Sequence, residues 1–130
     1  MIQFRFAEER GSAVADFVLV SVPILFLALS VLGLSLAAYT RLVLIDTAIE
    51  AARFSALADQ SDSDGCARAK LLFSKTFGAN SVLHANCFTD QINGREYSRA
   101  VLSSELINLG FITFGPEIKA SAKAIRELQG

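Results

Sequence analysis

The chain has 130 residues, enough for one domain and not for two. Its hydrophobic fraction of 52% is above the range of ordinary soluble domains. Its net charge is −1, and the Lys and Arg residues beyond the apolar segment alternate with Asp and Glu, so no basic stripe exists and nucleic acid is excluded as a partner.

Residues 1–11 form a short polar leader ending in Glu8-Glu9-Arg10-Gly11. Small residues follow from Ser12 to Ala15, then Asp16. From Phe17 to Thr40 no charged side chain occurs in 24 consecutive positions. At about 1.5 Å per residue a helix of that length crosses the ~30 Å hydrocarbon layer. A core helix of a soluble domain is shorter and keeps a polar face, whereas this run is apolar all round. The reading is a transmembrane segment over 17–40. Pro23 removes one backbone donor inside it, and Gly33 with Ser35 offers a small-residue patch for close helix approach. Arg5 and Arg10 on the short flank compete with Glu8 and Glu9, and Arg41 opens the other flank, so charge only slightly favours a cytoplasmic N-terminus.

The helix is expected to continue past the membrane surface. Leu42, Ile45, Ile49, Ala52 and Ala56 recur at spacings of three and four, and no Pro or Gly falls between Gly33 and Gly65. One continuous helix over about 13–58 follows, lipid-soluble first and amphipathic second, with the listed apolar stripe holding the globular part. The chain then divides into a leader over 1–11, the long helix within 12–59, and a small extracytoplasmic α+β domain over 60–130.

Asp59 to Gly65 reads as a polar loop. Its Asp-Ser-Asp-Gly ending fails as a calcium loop, because aligning Gly65 with the required glycine puts Gln60 at the first ligand position and Leu71 where Glu is needed. A short helix is expected over about Cys66 to Phe77, ending at Gly78. Leu83 to Phe88 alternates as a strand, Asn93-Gly94 signals a type I′ hairpin, and a second strand covers about Glu96 to Ser103. Ile107 to Gly115 reads as Gly- and Phe-rich turns. Ile118 to Ala124 alternates like a half-buried strand; the same stretch also fits a helix opened by Pro116, and pattern favours the strand.

Two cysteines, Cys66 and Cys87, both follow the apolar run. In an oxidising compartment they can pair, closing a loop of about 22 residues worth roughly 3 kcal/mol; the alternative is two buried thiols. No catalytic constellation is present. His84 is the only histidine, the cysteines lack the close pairs of a zinc site, and no phosphate loop or nucleophile elbow occurs, so no enzyme activity, metal or cofactor is expected. Asp16 is the one local oddity. A carboxylate costs up to about 3 kcal/mol at mid-bilayer, less at the edge, and is more easily kept with a partner. It also suits the plain role of a helix N-terminal acid.

The junction Arg10-Gly11, Ser12 to Ala15, Asp16, Phe17 resembles the processing site of type IV pilin-like proteins, and more closely that of the TadE-like family of minor pseudopilins. Tyr39-Thr40-Arg41 and Ala48-Ile49-Glu50-Ala51-Ala52-Arg53 stand where that family has a Tyr-rich turn and an Ala- and Arg-rich amphipathic stretch, and Ile118 to Glu127 looks like its closing strand. Asp16 departs from the usual Glu, which keeps the charge but shortens its reach. The resemblance implies a pilin-like α+β fold: a long helix, a small helix and a small antiparallel sheet. It implies a Tad/Flp-type pilus subunit cut by a prepilin peptidase between Gly11 and Ser12. Asp16 would pair with a neighbour's free amine, and Phe17 would be the junction aromatic. The partners implied are membrane lipid, the peptidase, other pilus subunits and the assembly platform. The rival readings are an unprocessed single-pass anchor of another envelope complex, a secreted protein with a cleaved signal, and a ligand-binding accessory domain.

Overall fold

The computed structural model describes the backbone over residues 6–108 and 113–127, with side chains over 11–105 and 115–127. Five elements follow in order: α1 (Phe6–Ala56), α2 (Asp62–Phe77), β1 (His84–Ile92), β2 (Arg95–Asn108) and β3 (Thr113–Ile125). The fold is α+β, as expected. The chain forms two compact units, 1–36 and 37–130, with the boundary inside α1.

The first unit is the apolar part of α1. All side chains from Gly11 to Leu36 are exposed except the half-buried Ser21. Pro23 lies within the helix without ending it. The hydroxyls that interrupt the apolar run are satisfied internally. Ser21 donates to the Phe17 carbonyl at 2.6 Å, Ser30 to Phe26 at 2.8 Å and Ser35 to Val31 at 2.9 Å. Such back-bonding removes the cost of carrying a hydroxyl into hydrocarbon.

The second unit packs the rest of α1 and α2 against one face of a three-stranded antiparallel meander in the order β1-β2-β3. Its core joins Leu44, Ala48, Ala51 and Ala52 of α1 to Ala69 and Phe73 of α2 and to Ala100, Leu102 and Ala120 of the sheet. Register explains the small residues. Cys87, Ala100 and Ala122 stand in one row across the three strands, and Ala85, Leu102 and Ala120 in the next. Two of the expected stripe residues, Ala52 and Ala56, are buried, but Leu42, Ile45 and Ile49 are exposed by 65%, 36% and 38%. The buried face of α1 is instead Thr40, Leu44, Thr47, Ala48, Ala51 and Ser55. Close packing selects small side chains there, and the two hydroxyls at Thr47 and Ser55 bond to the carbonyls four residues back, at 2.7 and 2.9 Å.

α2 begins four residues before the expected start. Asp62 to Gly65, read as loop, form its first turn. Ser61 is an extended N-cap in a capping box: its hydroxyl accepts from the Asp64 N–H, and the Asp64 carboxylate accepts from the Ser61 N–H at 2.9 Å. Gly65 is required by a close helix approach. A Cβ there would overlap the Ser55 hydroxyl and stand 2.7 Å from the Ala51 carbonyl. The helix ends at Gly78, with φ +95°, as expected.

The Asn93-Gly94 hairpin is present, with φ of +54° and +77° as a type I′ turn demands. The expected turns over 107–115 are a correction. Ile107 and Asn108 extend β2, and Thr113 to Gly115 open β3, paired Ile107 to Phe114 and Asn108 to Thr113 beyond a bulge. Cross-strand pairing overrides the local Gly and Phe signals; residues 109–112 lie outside the described residues. The tail is a strand, not a helix. Its end is tied down: the Glu127 N–H donates to the Ala56 carbonyl at 2.9 Å, and Arg126 donates to Thr89 and pairs with Asp62 at 3.8 Å.

Candidate functional site

Gly11 to Phe17 occupy consecutive positions of α1. Nothing lies within 4 Å of where a Gly11 side chain would start, Ser12 and Asp16 are exposed, and the Phe17 ring is 72% exposed. Among the described residues the Asp16 carboxylate has no hydrogen bond or ion pair. The surface therefore presents a glycine with open space beside it inside a continuous helix, an exposed carboxylate just over one turn later, and an aromatic at the start of the uncharged run. Gly11, like Gly33, weakens the helix locally, since a glycine costs about 1 kcal/mol relative to alanine in a helix interior.

Beyond Phe17 the apolar surface is continuous, and α1 is long and apolar enough to cross a membrane once. The exposed stripe Leu42, Ile45 and Ile49 carries apolar surface beyond Arg41. Sequence reasoning placed that stripe in the core. The better signal was the parallel series of small residues at 47, 48, 51, 52 and 55, which marks the buried face around Leu44.

Cys66 of α2 and Cys87 of β1 form a disulfide with Cα atoms 5.8 Å apart, so the two cysteines that sequence singled out are brought together. They lie in the second unit, apart in sequence from the Gly11–Phe17 junction. His84 is exposed at the start of β1, on the opposite sheet face from Cys87. Among the described residues no group of three His, Cys, Asp or Glu side chains could hold a metal ion. Glu117 on the outer sheet face is held below the usual carboxylate range, first by the Ser103 hydroxyl and then by Lys119, 3.3 Å away.

These features define a helix-anchored α+β protein in which one exposed apolar helix continues into a disulfide-stapled sheet domain. Residues 11–53 match the family model described as TadE-like protein, and this match supports assigning the chain to the TadE-like family. The match starts at Gly11 and takes in Ser12, Asp16, Phe17 and the amphipathic half of α1; residues 54–130 lie outside it. No curated protein and no solved structure is significantly similar to the chain.

Proposed function

We propose that the chain is a minor pseudopilin-like component of a Tad/Flp-type pilus, released from its leader by a prepilin peptidase between Gly11 and Ser12 and acting in pilus assembly or adhesion. The observation that carries this reading is the TadE-like match beginning at an exposed Gly11 and running through the apolar helix. The chain is not an enzyme in this reading. It crosses the membrane once with a cytoplasmic N-terminus and an extracytoplasmic domain, an orientation supported by the Cys66–Cys87 bond, since disulfides persist in oxidising compartments.

Assembly uses the surfaces that the fold leaves open. Neighbouring subunits pack along the exposed apolar side of α1, including Leu42, Ile45 and Ile49. Asp16 pairs with the free amine of an adjacent Ser12. An unpaired charge in an apolar bundle is strongly unfavourable, so this pair fixes axial register. The peptidase, other pilus subunits and the assembly platform are the protein partners. Asp16→Ala should stop assembly in a pilus-formation assay; assembly equal to the parent's would remove the register role.

A second reading is an unprocessed single-pass anchor of another envelope complex. The continuous helix through Gly11 and Ser12 favours it, because a peptidase must open that turn to cut. The intact mass of the membrane fraction, from cells holding the peptidase and without reductant, separates the two. A mass of Ser12 to Gly130 less two hydrogens is expected. A chain that keeps residues 1–11 leaves the anchor and removes the pseudopilin.

A further inference from the structure

α2 runs back along α1 toward the residues that leave the apolar run. Near its start, Gly65 lies against Ala51 and Ser55. One turn on, Arg68 pairs with Glu50 at 3.7 Å and lies over the Phe54 ring. At its end, the Phe77 ring meets the Tyr39 ring edge-on, with centroids 6.0 Å apart. Tyr39 belongs to the last uncharged turn of the run and Arg41 is the first charged residue after it. With 17–40 as the span, Tyr39 stands near the edge of the hydrocarbon, and the Phe77 ring lies within 6.0 Å of it.

The surface around this contact has the composition of a membrane interface. An open groove of about 430 Å³ lies between α1 and α2, lined by Tyr39, Leu42, Asp46, Leu72 and Lys75 among others. A second, of about 570 Å³, is lined by Lys70, Leu71 and Val82, with Leu71 and Val82 each 47% exposed. Arg41, Lys70 and Lys75 have no ion-pair partner among the described residues, and Asp46 is the one acidic side chain lining either groove. Aromatic rings with apolar side chains beneath free cations suit the headgroup layer, where each Lys or Arg gains about 1 kcal/mol from an anionic surface.

We propose that the end of the domain formed by Tyr39 and Lys75 to Val82 is seated in the headgroup layer of the membrane that α1 enters, with Lys70 and Lys75 on anionic lipid phosphates. This rests on the reading of 17–40 as a membrane span. The seat gives the second unit a lipid contact of its own.

The chain has no tryptophan, so single replacements report depth directly. Full-length Phe77→Trp, Thr76→Trp, Phe26→Trp and Phe88→Trp would be reconstituted in vesicles of phosphatidylcholine and phosphatidylglycerol carrying bromines either near the headgroup or near the chain end. Thr76 is exposed, so its variant reports even if Phe77→Trp disturbs packing. Positions 76 and 77 should be quenched by the shallow bromines at least about threefold more than position 88, and Lys75→Glu should cut that quenching about threefold in the anionic vesicles. Position 26 should be quenched by the deep bromines. Deep quenching at 26 without quenching at 76 and 77 overturns the seat while keeping the span; no quenching at 26 overturns the span itself. Emission at 76 and 77 that is blue-shifted but unquenched, and that follows the protein-to-lipid ratio, assigns the surface to a second copy and overturns the lipid seat. Quenching indifferent to Lys75→Glu overturns the role of lipid charge.

Discussion

The two halves of α1 share a secondary structure and differ in what surrounds them. From 11 to 36 the helix carries mostly large apolar side chains, and all of its side chains are exposed except the half-buried Ser21. From 37 to 56 one face narrows to Ala, Thr and Ser around a single fully buried Leu44. The first half leaves its apolar area exposed over a length that could cross a membrane, and the second half uses small side chains to bring a sheet and a second helix close. Size, more than hydrophobicity, separates the face that meets protein from the face that does not: Ile45 and Ile49 are more apolar than Ala48 and Ala51, yet they point outward.

The sharpest way to break this comparison is a matched pair on the same helix. Leu44→Ala empties a fully buried site and should cost about 2–5 kcal/mol, lowering the unfolding midpoint of the second unit in detergent by on the order of 10 °C. Leu27→Ala removes the same atoms from a residue that is 65% exposed on the apolar half. It should leave that midpoint unchanged and weaken membrane insertion by only about 0.5 kcal/mol. Equal losses at the two positions would mean that the first half has a protein partner within the folded chain.

Much of this division was legible in sequence, for local reasons. The uncharged run, the Asn93-Gly94 turn and the cysteine pair each declare themselves within a few residues or by count alone. The face of α1 was not, because weighting residues by hydrophobicity favours Leu42, Ile45 and Ile49 over the alanines. The start of α2 was missed although Ser61 and Asp64 stand at capping-box spacing, since three acidic or hydroxyl residues before a glycine also read as a turn. The extension of β2 and β3 lies beyond a bulge between Glu105 and Ile107, which breaks the alternation that marks a strand, and its Gly and Phe residues read locally as turns. Of the candidate site, the Gly11–Phe17 junction was visible as a pattern, whereas the Tyr39–Phe77 contact needs the fold to bring α2 back along α1.

The disulfide sharpens the comparison next. It lies wholly in the second unit, joining α2 to the edge strand β1. Replacing both cysteines by serine should remove roughly 3 kcal/mol from that unit through the regained freedom of a loop of about 22 residues. Resistance to alkaline extraction from the membrane, a property of the first half, should not change. The measurement is unfolding of the full chain in detergent with and without reductant; an unchanged midpoint would mean that packing of Ala69 and Phe73 on the sheet suffices to hold α2.

The smallest expected effect is at the N-terminal cap of α2, just before Cys66, where the fold is held by charge and geometry in water. The Ser61 hydroxyl, first, and the Ser61 backbone N–H both donate to the Asp64 carboxylate and hold it below the usual carboxylate range. A carboxyl lowered in the folded state stabilises that state above its unfolded value, near about 3.9, and the contribution disappears as pH falls through the folded value. Stability of the second unit should therefore decline gently below about pH 4. Ser61→Ala removes the donor and the cap together, costs about 1 kcal/mol at neutral pH, and flattens that decline, because Asp64 then titrates nearer its unfolded value. The same substitution leaves the apolar half untouched. A Ser61→Ala protein with the parent's full acid sensitivity would assign that sensitivity to another carboxylate, with Glu117, held by Ser103 and Lys119 on the far face of the sheet, as the next group to replace.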